Sequence, residues 1–225
     1  MIKKLIKSIK KTLFPHWTDY WSEMINSNND KKILNVGPGL NKIEKTISID
    51  ISKSVNPDIV WDLNKNPWPI ETSSIDTVIA LNVIEHLDDT VKTIEELHRI
   101  SKPNGTIYIL CPHFSSASAF LDPTHKKFFS NRTFDYFIKD KEFQKDFGFY
   151  RDFRFSLEKT LILVMPLFRY IPFILLIINK FPSLWENYFA FIIRGEGVFY
   201  KLKVLKYFIK RWCPRTESNR GPIDY

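Results

Sequence analysis

An apolar run, Lys32–Val36, stops at Gly37-Pro38-Gly39, and a second one, Thr46–Ile51, follows at once and carries Asp50 near its end. No other feature constrains the chain as tightly. A strand that runs into two glycines brings backbone to a place where no Cβ intervenes, so a ligand can approach the main chain. A carboxylate closing the next strand stands where it can accept a pair of ribose hydroxyls. Only ten residues lie between Gly39 and Asp50, so any helix joining the two strands is very short.

Beyond this point short apolar runs alternate with helical patterns, which predicts a parallel sheet with crossover helices. Ile59–Trp61 reads as a third strand ending on Asp62, and Ser74–Leu81 as a fourth that runs into Val83–Leu87 and a helix through Ile100. The Lys102-Pro103-Asn104-Gly105 turn stops that helix, and Thr106–Cys111 forms a fifth strand. Arg132–Asp140 reads as helical, Phe153–Leu163 as a sixth strand and Gly197–Leu205 as a seventh. The fold class these runs predict is α/β on a mostly parallel sheet.

A chain of 225 residues, 44% hydrophobic, suits one domain with additions. The polar break Ser27-Asn28-Asn29-Asp30 divides an N-terminal extension, 1–26, from a domain over 27–212, and the tail 213–225 lacks apolar periodicity. Two cysteines, Cys111 and Cys213, do not make a disulfide framework and suit a reducing cytoplasm. The His and Cys residues show no paired ligand spacing, so no metal site is expected.

The net charge of +8 is placed at the ends, with Lys3, Lys4, Lys7, Lys10 and Lys11 at one and Lys201, Lys203, Lys206, Lys210 and Arg211 at the other. Such asymmetry points to an anionic surface or to a solvated basic one. Ile2, Leu5, Ile6, Ile9 and Leu13 recur at helical spacing among the first lysines. That pattern is a basic amphipathic helix for a membrane interface, or an ordinary helix packed on its own domain, and not a secretory signal. Leu161–Ile178 holds one charge, Arg169, and the prolines Pro166 and Pro172. It lies in an apolar insertion at about 162–193 and reads as an interfacial or lid element ahead of a core helix or a span.

Several motifs together resemble the class I S-adenosylmethionine (SAM)-dependent methyltransferases, type 11. They are ILNVGPGLN (33–41), SIDIS (48–52), DIVWDLN (58–64), SIDTVIALNVIEHLDD (74–89) and the SKPNG turn (101–105). PHFSSASAFLDPTHKKFF (112–129) is similar to a subset of that family with a Pro-His…Asp-Pro-Thr-His segment. The resemblance implies an α/β, Rossmann-like three-layer sandwich on a seven-stranded, mostly parallel sheet with an antiparallel last strand. It also implies SAM as cofactor, with Gly37 and Gly39 cradling its methionine end and Asp50 accepting the ribose hydroxyls. Ile51 would pack on adenine, Asp62 would accept from the adenine amino group, the Leu63 amide would reach the ring, and Leu81 and Asn82 would end beside the sulfonium. Asn35 stands where the family carries an acid and Asn41 where it carries a third glycine; Asn tolerates left-handed backbone and can keep the turn.

Histidine titrates nearest neutral pH, so His113, His125 and His86 are the candidate bases for an acceptor that must lose a proton. The function expected is methyl transfer to a membrane-associated, lipid-linked or envelope-glycan acceptor, by a protein cytoplasmic and peripheral on the inner face of the membrane. A non-catalytic membrane module that keeps the fold is the alternative. A nicotinamide-dependent oxidoreductase fits less well, since Lys42 replaces the third glycine of its fingerprint. Nucleic acid is disfavoured as a partner, because the basic residues do not line a groove with aromatic platforms.

Overall fold

The computed structural model describes residues 31–139, 141, 153–164 and 172–206. The N-terminal extension and the C-terminal tail fall outside these residues.

Seven strands form one sheet: β1 Ile33–Val36, β2 Ile47–Asp50, β3 Ile59–Val60, β4 Ile75–Leu81, β5 Ser101–Pro112, β6 Arg154–Val164 and β7 Gly195–Leu205. Their order is β3-β2-β1-β4-β5-β7-β6. Strands β1 to β5 pair in parallel, and β7 lies antiparallel between β5 and β6. This is the Rossmann-like α/β fold expected, with the antiparallel last strand in place.

The crossovers depart from expectation. The connections β1–β2 and β3–β4 run through turns, and β2–β3 holds only a 3-10 turn, Lys53–Val55. Even the very short helix foreseen before Asp50 is absent. One full crossover helix, α1 Thr90–Ile100, joins β4 to β5. It does not run on from Val83: Ile84–His86 is a separate 3-10 turn, and Asp89 caps α1 by accepting the Lys92 N–H.

Alternation along the strands sorts the core onto two faces. Leu34, Val36, Val78, Ala80, Ile107 and Ile109 pack with Ile94, Leu97 and Ile100 of α1. Leu63 and Trp68 of the β3–β4 loop enter the same cluster, Trp68 only 2% exposed. This loop supplies apolar area that a crossover helix would otherwise provide, so the connection does without one. Trp68 donates its indole N–H to the Leu63 carbonyl and its amide to Glu96 Oε2, and Arg99 clasps Glu96 while donating to the carbonyls of Trp68 and Ile70.

Two further expectations are corrected. The Lys102–Gly105 turn does not precede β5 but bulges within it: Ile75 pairs with Ser101 and Thr77 with Thr106, leaving three extra residues on one side. Thr133–Phe137 is a 3-10 turn rather than an α-helix. It ends where Ile138 bridges to Phe155, and Asp140 lies outside the described residues.

Between β6 and β7 the chain forms α2, Pro172–Lys180, and α3, Pro182–Tyr188. The apolar insertion therefore emerges at the end of the sheet where the parallel strands finish. No helix among the described residues is long and apolar enough to cross a membrane.

Candidate active site

From β1 the chain builds outward through β2 and β3 on one side, then returns to continue through β4 and β5 on the other. That reversal between β1 and β4 opens a crevice at the carboxyl ends of the strands, the usual ligand position in open α/β sheets. The glycine turn lies in it.

Gly37 adopts φ +57° and donates its N–H to the Ile49 carbonyl at 2.8 Å. A Cβ there would stand 2.3 Å from Val83 Cγ2, so the turn sits directly against the second residue past β4. Gly39, at φ +52°, has nothing within 4 Å of where a Cβ would point. Asn41 is not left-handed: it closes the turn by donating its N–H to the Pro38 carbonyl at 2.9 Å. The third glycine is thus replaced by a backbone hydrogen bond, not by Asn's tolerance of positive φ.

Asp50 ends β2, 8% exposed. Its Oδ2 accepts the Gly39 N–H at 3.0 Å and its Oδ1 the Ser52 N–H at 2.9 Å, so the carboxylate and the glycine turn hold each other in place. A carboxylate offers about four lone-pair sites, and further acceptor capacity remains. Ile51 beside it is 65% exposed. Asp62, after β3, accepts the Asn64 N–H, and buried Leu63 follows. Leu81 ends β4, and Asn82 is exposed at φ +48° with its N–H on the Leu110 carbonyl. Asn35 is 2% exposed inside β1, and its Nδ2 has no partner among the described residues. The fold thus brings Gly37, Gly39, Asp50, Ile51, Asp62, Leu63, Leu81 and Asn82 to one edge of four adjacent strands, with Asn35 one residue in from the turn.

The three histidines part company. His113, just past β5, is fully buried. The Ser115 N–H donates to its Nδ1, which fixes the proton on Nε2, and Nε2 donates to Glu186 Oε1 at 2.9 Å. Glu186 also accepts the Asn131 N–H and Nδ2. Both ring nitrogens are engaged, so His113 latches α3 to the sheet rather than facing an acceptor.

His86 and His125 meet instead, with ring centroids 4.6 Å apart. His86 Nδ1 contacts Thr124 Oγ1 at 2.8 Å, and burial holds this imidazole below its ordinary pKa. His125 Nδ1 faces the Ala119 carbonyl at 3.1 Å. The 122–127 loop is fastened here, because the N–H groups of Lys126 and Lys127 donate to the Glu85 carbonyl.

Sequence reading missed Glu85. It is 1% exposed, neither carboxylate oxygen has a hydrogen-bond partner among the described residues, and burial pushes it up to about 7. An acid beside a histidine near a helix start looks like an ordinary surface pair. Only the fold reveals that it points inward.

Residues 39–109 match the family model for a methyltransferase domain. Among solved structures, the chain is similar to a SAM-dependent methyltransferase from Archaeoglobus fulgidus, at 17% identity and TM-score 0.51, covering 88% of this chain and 99% of that one. It is similar also to the YcgJ protein from Bacillus subtilis, at 12% identity and TM-score 0.51, covering 83% and 97%. At such identities the two structures speak for the fold. None of the curated proteins matches the chain.

Proposed function

We propose that the chain is a SAM-dependent methyltransferase of the class I, type 11 kind and that it works at the inner face of a membrane, on a lipid-linked or envelope-glycan acceptor. The observation that carries this reading is the α2–α3 pair. Phe173, Leu176, Ile177, Phe181 and Leu184 stand half to three-quarters exposed on it, with Phe191 and Ile192 just beyond. An apolar patch of this kind on a charged protein marks an interaction surface. The exposed Lys180 and Arg194 beside it match an anionic bilayer.

The crevice residues fit the donor. The open space over Gly39, the uncovered Ile51, the remaining lone pairs of Asp50 and the orphan Nδ2 of Asn35 are all features that a nucleoside-bearing ligand would use. Gly37 and Gly39 would cradle the amino-acid end, Asp50 would take the ribose hydroxyls, and Ile51, Asp62 and Leu63 would border adenine. SAM supplies a methyl group on sulfonium, whose leaving group is already activated. The chain's own task is therefore alignment, and the mutual hydrogen bonding of Gly39 and Asp50 sets that geometry before anything binds. Where the acceptor is a hydroxyl, His86 and His125 remain the candidate groups to receive its proton.

Labelled SAM and extracts of lipid and of envelope glycan provide the test. Label should enter a lipid-extractable or glycan product in the presence of vesicles. SAM binding with no transfer to any extract would favour the non-catalytic module instead.

A further inference from the structure

Glu85, His86 and His125 present one ligand atom each, all within 4.8 Å of one another. Glu85 is the unusual member, because a buried carboxylate with no stronger donor against it than the Cys111 thiol and its own amide is costly to keep. The groups that face it are the buried Cys111 thiol, His125 and Asp122. None of them supplies a fixed positive charge.

The two imidazoles are already set up as ligands. The Ala119 carbonyl can only accept, so His125 carries its proton on Nδ1 and its lone pair on Nε2. Thr124 Oγ1 gives its own proton to Asp122 Oδ1 at 2.6 Å, so it accepts from His86 Nδ1 and leaves the His86 Nε2 lone pair as well. Metal-binding histidines are characteristically oriented in this way, with the non-ligating N–H donated to a carbonyl or to a group backed by a carboxylate. Metal bonds of about 2.0–2.2 Å in a tetrahedral shell set ligand atoms about 3.3–3.6 Å apart, so side-chain shifts of about an ångström close the cluster.

We propose that Glu85, His86 and His125 form a site for a divalent metal ion of the zinc class, which ties the 122–127 loop to the turn after β4. Two neutral imidazoles and one carboxylate suit Zn²⁺ or Co²⁺ better than Mg²⁺ or Ca²⁺, which prefer all-oxygen shells. Asp122 Oδ2, 3.9 Å from His125 Nε2, borders the site and leaves room for water as a further ligand. A bound ion would take the Nε2 lone pairs that the proton-accepting role of His86 and His125 needs, so the site replaces that role; its readout needs neither donor nor acceptor.

The test uses the full chain, stripped with a chelator and titrated with Co²⁺ as the spectroscopic probe. One equivalent should bind with visible d–d absorption and be displaced by Zn²⁺. Glu85→Gln and His86→Gln should each weaken binding at least tenfold, while SAM affinity by calorimetry stays within about threefold. Near-UV circular dichroism of each variant checks folding. The partly exposed His86 provides the variant least prone to unfold, and the wild-type stoichiometry decides the matter if neither variant folds. No stoichiometric Co²⁺ uptake by wild type, or an intense thiolate charge-transfer band marking Cys111 as a ligand in place of Glu85, would overturn the assignment.

Discussion

At Gly37 an added methyl group would meet Val83 Cγ2 at 2.3 Å, whereas at Gly39 it would meet nothing, although both residues are left-handed. The two glycines therefore separate backbone conformation from close approach. Gly39→Ala should cost about 1–2 kcal/mol, the left-handed penalty alone. Gly37→Ala should cost clearly more, because Val83 must also move, and Val83→Ala in the same chain should return part of the loss. Thermal unfolding of the three variants checks the order; equal losses at both glycines would remove the close-packing argument. Asp58 offers a second test at this scale. The Ser48 hydroxyl and amide, with Lys42 behind them, hold its carboxyl at about 2, below the ordinary 3.8. The folded state thus binds fewer protons than the unfolded one between those values, and the stabilisation is present above about pH 4 and fades as pH falls toward 2. Asp58→Asn should lower the melting temperature at pH 6 and make no difference near pH 2.

The β3–β4 loop shows why elements were less legible than residues. Pro67-Trp68-Pro69 signals a loop, and nothing in its spacing says that Trp68 is buried among Ile94 and Leu97 in place of a helix. That depends on Glu96 and Arg99, about thirty residues later, which satisfy the loop's polar backbone from α1. The antiparallel β7 is implied only by the family resemblance, whereas strand positions could be read from apolar runs and turn residues because those signals are local. The Glu85–His86–His125 cluster could not, since its third member lies 39 residues from His86 and only the tether from Lys126 and Lys127 to Glu85 brings it back. His113 misled for the same reason, as its partner Glu186 lies far along the chain, on α3. Trp68→Ala should destabilise the protein by about 3–5 kcal/mol, the cost of an emptied aromatic site. Glu96→Ala should cost about 3 kcal/mol by stranding Arg99 and the Trp68 amide. In each case SAM affinity should fall with stability, because the loop carries Asp62 and Leu63. Unchanged SAM affinity in a destabilised Glu96→Ala protein would separate the loop from the donor site.

Taken whole, the molecule puts its apolar surface where its chemistry is. β6 runs parallel to β5, so the chain leaves it at the same edge as the glycine turn, and α2 and α3 must fold back at that edge before β7 returns. The His113–Glu186–Asn131 hydrogen bonds fix α3 to the end of β5, which orients the exposed face outward instead of leaving it to collapse on the sheet. A bilayer docked on this face would lie beside the crevice, so one contact would serve both attachment and delivery of the acceptor. Introducing charge can tell this surface from the N-terminal lysines as the source of the proposed membrane affinity. A chain with Phe173→Asp, Phe191→Asp and Ile192→Asp should lose most of its flotation with anionic vesicles and keep its SAM affinity, since none of these residues belongs to the donor site. Removing residues 1–14 should weaken flotation in a salt-dependent way, because it deletes lysines whose attraction is screened. If the triple variant floats as well as the unaltered chain, the α2–α3 face is not the docking surface.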